Sequence, residues 1–117
     1  MPIVKKGQVP AEDLAGNTAQ PLARANLGST SLTVTQITIP PGSRVRLHTH
    51  PGHEECMVIL SGSLTALMAG QEERVSAGDT IIAPADVVHG LRNNSGRPAT
   101  IFAIFPTTDV QRNYLEE

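Results

Sequence analysis

Residues 42–55 read GSRVRLHTHPGHEE, and this stretch decides how the chain folds. Alternate side chains of an extended strand lie on one face, so His48 and His50 project the same way, about 7 Å apart along the backbone. A Pro-Gly turn follows, and Glu55 then opens an apolar run that ends at Leu60. The spacing predicts two successive strands whose imidazoles and carboxylate are close enough to bind one ion.

A third histidine comes from a distant part of the chain. Residues 78–93 read GDTIIAPADVVHGLRN, in which His89 follows two valines in a strand-like run. A strand from this stretch would have to lie beside the first two for His89 to complete the site. The two stretches together offer three imidazoles and one carboxylate.

These two stretches resemble the two sequence motifs of the cupin family. The first motif, G-x5-H-x-H-x(3,4)-E-x6-G, is matched throughout, and the second, G-x5-P-x-G-x2-H-x3-N, is matched except at its central glycine. The matching residues are Gly42, His48, His50, Glu55 and Gly62 in the first motif and Gly78, Pro84, His89 and Asn93 in the second. Asp86 replaces the central glycine, and aspartate tolerates the left-handed backbone conformation that such a turn needs.

Short apolar runs separated by turn residues predict an all-β protein. From Ser31 onward the runs alternate with Pro-Gly, Ser-Gly and Asn-Ser-Gly turns, a spacing typical of small antiparallel barrels. The cupin resemblance implies a jelly-roll barrel, also called a double-stranded β-helix. We expect a covering segment at residues 1–30, the barrel at residues 31–106 and a short C-terminal tail or helix at residues 107–117. A helical turn is also expected over residues 11–14.

The resemblance implies that His48, His50, Glu55 and His89 bind one divalent metal ion. A histidine taken alone is more often an ordinary polar residue of a barrel wall, but three of the four in this chain fall on motif positions. Nitrogen-rich donors suit Fe, Mn, Ni, Co, Cu or Zn, so the sequence does not choose the metal. His53, in the turn between the strands, is expected to be an exposed loop residue, with metal binding or proton transfer as the alternative.

Strand alternation also indicates what the cavity beside the metal binds. Counting back from His48, Arg46 and Arg44 are expected on the inner face, whereas Val45 points outward. Arg46 could pair with a substrate carboxylate, although an arginine solvated at the barrel rim is the alternative. Met57 could line an apolar wall, and the chain has no Trp and one Tyr to stack on sugar rings. The predicted substrate is a small, partly apolar organic acid.

Three classes of function remain open at this point. A metal-dependent dioxygenase is the first prediction, because it is a frequent activity of the small cupins that the chain resembles. A non-redox isomerase or lyase would use the ion as a Lewis acid. A module that binds a metal or a metabolite without turnover is the third alternative, since one architecture hosts many chemistries. The sequence identifies no catalytic acid or base outside the metal set.

Composition restricts the partners and the compartment. The chain has 117 residues and a net charge of −2, which predicts one domain without a basic surface for nucleic acid. Its start lacks the apolar run of a signal peptide, no stretch is long enough for a membrane span, and its single cysteine excludes an intrachain disulfide. A cytoplasmic protein without a membrane partner is expected. Residues 56–60 are apolar on both strand faces, so either the first thirty residues or a second subunit is expected to cover the outer face. A homodimer is predicted, as the resemblance also implies.

Overall fold

Two antiparallel sheets make up the protein. The computed structural model describes residues 2–115. Its strands are β1 (Glu12–Leu14), β2 (Asn17–Ala23), β3 (Thr33–Ile39), β4 (Arg44–Thr49), β5 (Glu55–Ser61), β6 (Ser63–Met68), β7 (Gln71–Ser76), β8 (Thr80–Ala83), β9 (His89–Arg92), β10 (Ala99–Phe105) and β11 (Asn113–Tyr114), with a 3-10 helix at Ala25–Leu27. The all-β prediction is confirmed.

The core lies between the two sheets. One sheet has the order β1-β2-β3-β10-β5-β8, and the other has the order β11-β4-β9-β6-β7. Buried and partly exposed residues alternate along the whole of β10, as a strand with one face on a core requires. Ile39, Ile59, Leu91 and Ile101 are almost completely inaccessible to solvent. Burial of these aliphatic side chains from both sheets stabilises the barrel.

Both ends of the chain add strands to the sheets. The helical turn predicted at residues 11–14 is wrong, because Glu12–Leu14 is strand β1. It pairs with β2 across Ala15 and Gly16, whose φ angles of 51° and 91° are those of a left-handed hairpin turn. β2 in turn pairs with β3, so residues 17–23 extend the six-stranded sheet.

The C-terminal segment likewise has no helix in its described part. The sequence predicts a tail or helix over residues 107–117, but β11 pairs with β4 instead, and residues 116 and 117 lie outside the described residues. Helix nucleation is unfavourable for a short segment that has no apolar residues at helical spacing. Pairing with the edge of β4 instead gives the backbone groups of the segment hydrogen-bond partners. Within residues 2–115, no helix has the length and apolar character needed to cross a membrane.

β4 contains an irregularity that changes the predicted alternation. Val45 pairs with Leu91 and His48 pairs with His89, so three steps along β4 match two steps along β9. This β-bulge turns Val45 towards the core, against which it packs, and the expectation that Val45 points outward is wrong. Gly90 makes room for the bulge, since a Cβ added there would lie 2.7 Å from the carbonyl oxygen of Val45.

Asp86 occupies the turn that leads into β9. Its φ angle is 67°, the left-handed conformation that the motif glycine would adopt more easily. Its backbone N–H donates to the carbonyl oxygen of His50 at 3.2 Å, so the turn is attached to the end of the strand that carries two histidines. The aspartate therefore preserves the turn that its position in the motif predicts.

The substitution Gly90→Ala tests the bulge. We expect it to lower the free energy of unfolding by about 1 to 3 kcal/mol, the usual cost of overpacking, because a backbone oxygen cannot move aside as a side chain can. Gly96→Ala is the matched control, since a Cβ added there meets nothing within 4 Å. Urea denaturation of the two variants measures the difference. Equal stability of the variants would contradict the close approach of β4 and β9.

Candidate metal centre

Three strands bring the four predicted side chains together at one end of the barrel. His48 lies near the end of β4, His50 directly after it, and Glu55 and His89 are the first residues of β5 and β9. All four are buried, with 1 to 5% of their surface exposed. One donor atom from each lies within 4.8 Å of the donor atoms of the other three. The four side chains could therefore hold a single metal ion.

Backbone carbonyl groups fix the orientation of each imidazole. The Nδ1 atoms of the rings each contact a carbonyl oxygen, and the three pairs are His48 with Arg46 at 2.6 Å, His50 with Gln111 at 2.7 Å and His89 with Val87 at 3.0 Å. A carbonyl oxygen can only accept, so each Nδ1 carries the proton that it donates. In the neutral ring this leaves the lone pair on Nε2, which is the arrangement of imidazole ligands in metal proteins.

The free donor atoms crowd around the Glu55 carboxylate. Its Oε1 lies 3.0 Å from Nε2 of His50 and 2.9 Å from Nε2 of His89, and the Nε2 atoms of His48 and His50 are 3.1 Å apart. Lone pairs at these distances repel one another unless a proton or a cation lies between them. Three nitrogen donors and one carboxylate oxygen suit a divalent transition metal, so the donor set fits the ion that the sequence predicted.

The charges of these groups also favour a cation. Burial raises the pKa of Glu55, but hydrogen bonds that its Oε1 accepts from His50 and His89 when a proton lies on Nε2 outweigh this effect and lower that pKa to about 2. Burial lowers the pKa of His48 to about 4. Burial lowers the pKa of His89 too, but hydrogen bonds with Glu55 and with the Val87 carbonyl raise it overall. At neutral pH the site therefore holds an anionic carboxylate and a neutral His48.

A cavity of about 160 Å³ adjoins these residues inside the barrel. Arg46 and Met57, which the sequence predicted as substrate-binding residues, both line it. The β1–β2 hairpin also lines it, and there Asn17 Nδ2 donates to the carbonyl oxygen of Arg44 at 2.9 Å and Asn17 Oδ1 accepts from the Ser43 hydroxyl at 2.7 Å. These bonds attach the hairpin to the beginning of β4, so the N-terminal segment closes one side of the cavity.

His53 holds the C-terminal segment against the site. Its Nε2 accepts the backbone N–H of Gln111 at 3.0 Å, while His50 Nδ1–H donates to the carbonyl oxygen of the same residue. The His50 and His53 rings stack with their centroids 5.2 Å apart. His53 is not one of the four clustered residues, so among the described residues its observed contacts are those of a positioning residue.

The C-terminal segment also supplies residues that the sequence did not single out. Arg112 and Tyr114 line the cavity, and the Tyr114 ring lies 5.7 Å from the ring of His48. The guanidinium of Arg46 lies over this tyrosine, 4.8 Å from the ring centroid. Tyr114 is the only tyrosine of the chain, but no spacing relates it to either motif, so sequence reasoning had no means of placing it.

Comparison with known proteins agrees with this architecture. A family model described as a cupin domain matches residues 35–105, which include all four clustered side chains. The chain belongs to the cupin family. The jelly-roll fold that the motifs implied is thereby confirmed for the barrel of this cupin.

Curated relatives of this cupin differ widely in length. The tetracenomycin polyketide synthase protein TcmJ of Streptomyces glaucescens is 27% identical over 105 residues, which cover 89% of this chain and 70% of TcmJ. A germin-like protein of Morus alba is 32% identical over 57% of this chain and 34% of its own length. Quercetin 2,3-dioxygenase of Bacillus subtilis is 33% identical over 57% of this chain and 20% of its own. The chain thus spans about a third or less of the last two.

Solved structures show the same fold. The polyketide cyclase RemF of Streptomyces resistomycificus superposes with a TM-score of 0.83 at 23% identity, covering 100% of this chain and 88% of RemF. An oxalate decarboxylase of Lactobacillus farciminis superposes with a TM-score of 0.84 at 16% identity, covering 94% of this chain and 34% of the decarboxylase. At these identities the likeness establishes the fold alone.

His48 is expected to make the stability of the metal-free protein depend on pH. Its pKa is about 4 in the folded protein and near 6.5 when unperturbed, so the unfolded chain binds the extra proton between these values. Stability should fall as the pH drops from 6.5 to 4, by up to about 3 kcal/mol. The pKa of His89 is raised in the folded protein, so its contribution to the free energy of unfolding is fully present below pH 6.5. His89 therefore adds no pH dependence between pH 4 and 6.5.

Urea denaturation of the chelator-treated protein at several pH values measures this dependence. The variant His48→Gln serves as the control, because a neutral amide of similar size removes the titrating group. We expect its stability to change less across the same range than that of the parent protein. The same slope in both proteins would show that His48 is not the group responsible.

Proposed function

We propose that this cupin is a divalent-metal-dependent enzyme that acts on a small, partly apolar organic acid. The observation that carries the proposal is the convergence of donor atoms from His48, His50, Glu55 and His89 within 4.8 Å, on the wall of a cavity. A divalent ion held by these residues would supply Lewis acidity and, for a redox-active metal, a place to activate dioxygen.

The residues around the cavity have complementary tasks. The carbonyl oxygens that accept the Nδ1 protons keep the imidazoles in the tautomer that binds metal. The side chains of Met57, Leu91 and Ile101, almost fully buried, give the cavity an apolar wall that excludes water. Arg46 offers a cation for a carboxylate from the open side.

Dioxygenation is the reaction class that we favour. A redox-active ion held by His48, His50, Glu55 and His89 would supply the activation of dioxygen that this reaction needs. The partial similarity to quercetin 2,3-dioxygenase, 33% identical over 67 residues, supports the same class. The substrate of this cupin would be a smaller molecule that carries a carboxylate.

A non-redox reaction is the second candidate, and one observation favours it. The polyketide cyclase RemF matches 100% of this chain and 88% of its own length, so the two proteins share one barrel with little added on either side. In a reaction of this kind the ion would polarise a carbonyl group of the substrate without dioxygen. Zinc would serve there as well as a redox metal.

Metal content tests the proposal directly. Elemental analysis of the purified parent protein should find about one divalent ion per chain, and Glu55→Gln should lose most of it because the anionic donor is gone. Glu54→Gln is the matched control, since Glu54 is exposed beside the site and is not one of the clustered residues. A parent protein that neither contains nor takes up a divalent metal would overturn the proposal.

Turnover of a panel of small organic acids then separates the reaction classes. Substrate-dependent oxygen uptake by the metal-loaded protein would support the dioxygenase. Turnover under nitrogen with zinc in the site would support the second candidate. Metal binding without turnover of any acid would leave a binding module in place of an enzyme.

We also propose that the protein is a homodimer, as the pattern of the strands predicts. On the outer face of the six-stranded sheet, Phe102 lies opposite Val58 and Cys56 lies opposite Ile82, which forms an apolar stripe across β10, β5 and β8. Ile82 is 59% exposed and Leu60 is 39% exposed, so the described chain leaves much of the stripe uncovered. A second copy is the partner proposed to cover it.

Light scattering is the measurement for the dimer. The parent protein should have twice its monomer mass of 12.4 kDa at micromolar concentration, and Ile82→Glu should shift the mass towards that of the monomer. Leu32→Glu is the control, because Leu32 is 49% exposed and precedes β3, three strands from β8 in the sheet. A monomeric parent protein would refute the dimer.

A further inference from the structure

We propose that the cavity binds a monocarboxylate the size of a single ring or a short chain, held through its carboxylate by Arg112 and Arg46. The apolar part of this ligand would lie against Met57 and Leu91. The inference rests on the proposed function and names the substrate class of the same site. It assigns recognition to the C-terminal segment, with the carboxylate bound to arginine instead of the metal.

The size of the cavity limits the ligand. Its volume is about 160 Å³. A protein cavity of about 150 Å³ lined by aliphatic and aromatic side chains holds one benzene molecule. A single ring or a chain of similar bulk therefore fits inside, whereas a fused polycyclic molecule would have to remain largely outside.

The charges around the cavity select an anion. Among the described residues that line it are three arginines, Arg44, Arg46 and Arg112, and one carboxylate, Glu55. Glu55 faces the three histidines, so its charge is directed into the metal centre. A divalent ion there would neutralise it, which leaves the guanidinium groups of Arg46 and Arg112 to attract a carboxylate.

Arg46 and Arg112 are the two arginines to which the carboxylate is assigned. Arg46 is held by its contact with the Tyr114 ring and by a long hydrogen bond from Nη2 to the Leu115 carbonyl oxygen at 3.4 Å. Within residues 2–115, neither Arg46 nor Arg112 forms an ion pair with a carboxylate. Each guanidinium presents a planar fork of donors that matches the two oxygens of a carboxylate.

The pairing of β11 places Arg112 next to the metal centre. Asn113 lies opposite Thr49 and Tyr114 lies opposite His48, so the segment runs alongside the strand that carries two of the histidines. Alternate residues of an extended segment share a face, and Arg112 and Tyr114 both line the cavity. The two hydrogen bonds to the Gln111 peptide, one from His50 and one with His53, fix this segment just before Arg112.

The apolar part of the cavity lining is suited to the rest of the ligand. It consists of the side chains of Ile37, Met57, Leu91, Ile101, Ala103 and Phe105. A ligand with a charged end and an apolar body therefore finds both kinds of surface in one cavity. A neutral molecule of the same shape would fill the apolar part and leave the arginines without a partner.

Calorimetric titration with benzoate tests the inference, and benzyl alcohol is the neutral probe of nearly the same shape. We expect the metal-loaded parent protein to bind benzoate at least tenfold more tightly than benzyl alcohol. Arg112→Gln and Arg46→Gln should each weaken benzoate binding at least tenfold. Arg74→Gln should bind as the parent does, because Arg74 is an exposed residue of β7 that does not line the cavity.

A second readout comes from the protein itself. The chain has one Tyr and no Trp, so its intrinsic fluorescence reports on Tyr114 at the cavity mouth. Benzoate should change this emission in a saturable way in the metal-loaded protein. The same change is expected after the metal is removed, with an affinity for benzoate within tenfold of that of the metal-loaded protein. Thermal unfolding of each variant confirms that the substitutions leave the fold intact.

The outcomes separate this inference from the proposed function. Loss of benzoate binding on metal removal would mean that the carboxylate binds the ion, and the inference would be wrong while the metal-dependent function stood. The inference would also be wrong if both arginine variants bound benzoate as tightly as the parent protein does, or if the parent protein bound benzyl alcohol as tightly as benzoate. Neither result would contradict the metal-dependent function. Full metal content in Arg112→Gln together with weakened benzoate binding would support it.

Discussion

A buried carboxylate surrounded by three imidazoles is the constraint on which the rest of this structure depends. Only 5% of the surface of Glu55 is exposed, and an anion removed from water in this way is costly unless cationic or hydrogen-bonding groups compensate. Two of those imidazoles come from β4 and the residue just after it and the third from β9, and a backbone carbonyl oxygen holds each ring in place. The barrel must therefore close correctly before the carboxylate is stabilised, which couples the fold to the site.

The irregular features of the barrel serve this arrangement. Val45 and His48 are three residues apart, so in a regular strand they would face opposite sides of the sheet. The bulge between them allows Val45 to pack in the core while His48 lies opposite His89. Gly90 permits it because any side chain there would collide with β4. The irregularity thus lies where it orients a candidate metal ligand.

The C-terminal segment connects the metal centre to the proposed recognition of substrate. Its Gln111 carbonyl oxygen fixes the tautomer of His50, and the next residues line the mouth of the cavity. The sequence of a segment at the edge of the sheet can vary without disturbing the barrel core. The ligand preference can therefore change while the barrel stays the same. This separation agrees with a family whose members carry out different reactions on one fold.

The set of four clustered side chains followed from the resemblance of two segments to the cupin motifs. The sequence by itself determined the all-β class, because strand alternation and turn chemistry are local properties that spacing reveals. The left-handed turn at Asp86 belongs to the same class of local feature. Only the tertiary structure decided the inward position of Val45, the replacement of the C-terminal helix by β11, and the place of Arg112 and Tyr114 in the cavity. These depend on packing between segments as far apart as Arg46 and Leu115, which are separated by 69 residues, and no local pattern encodes contacts over that separation.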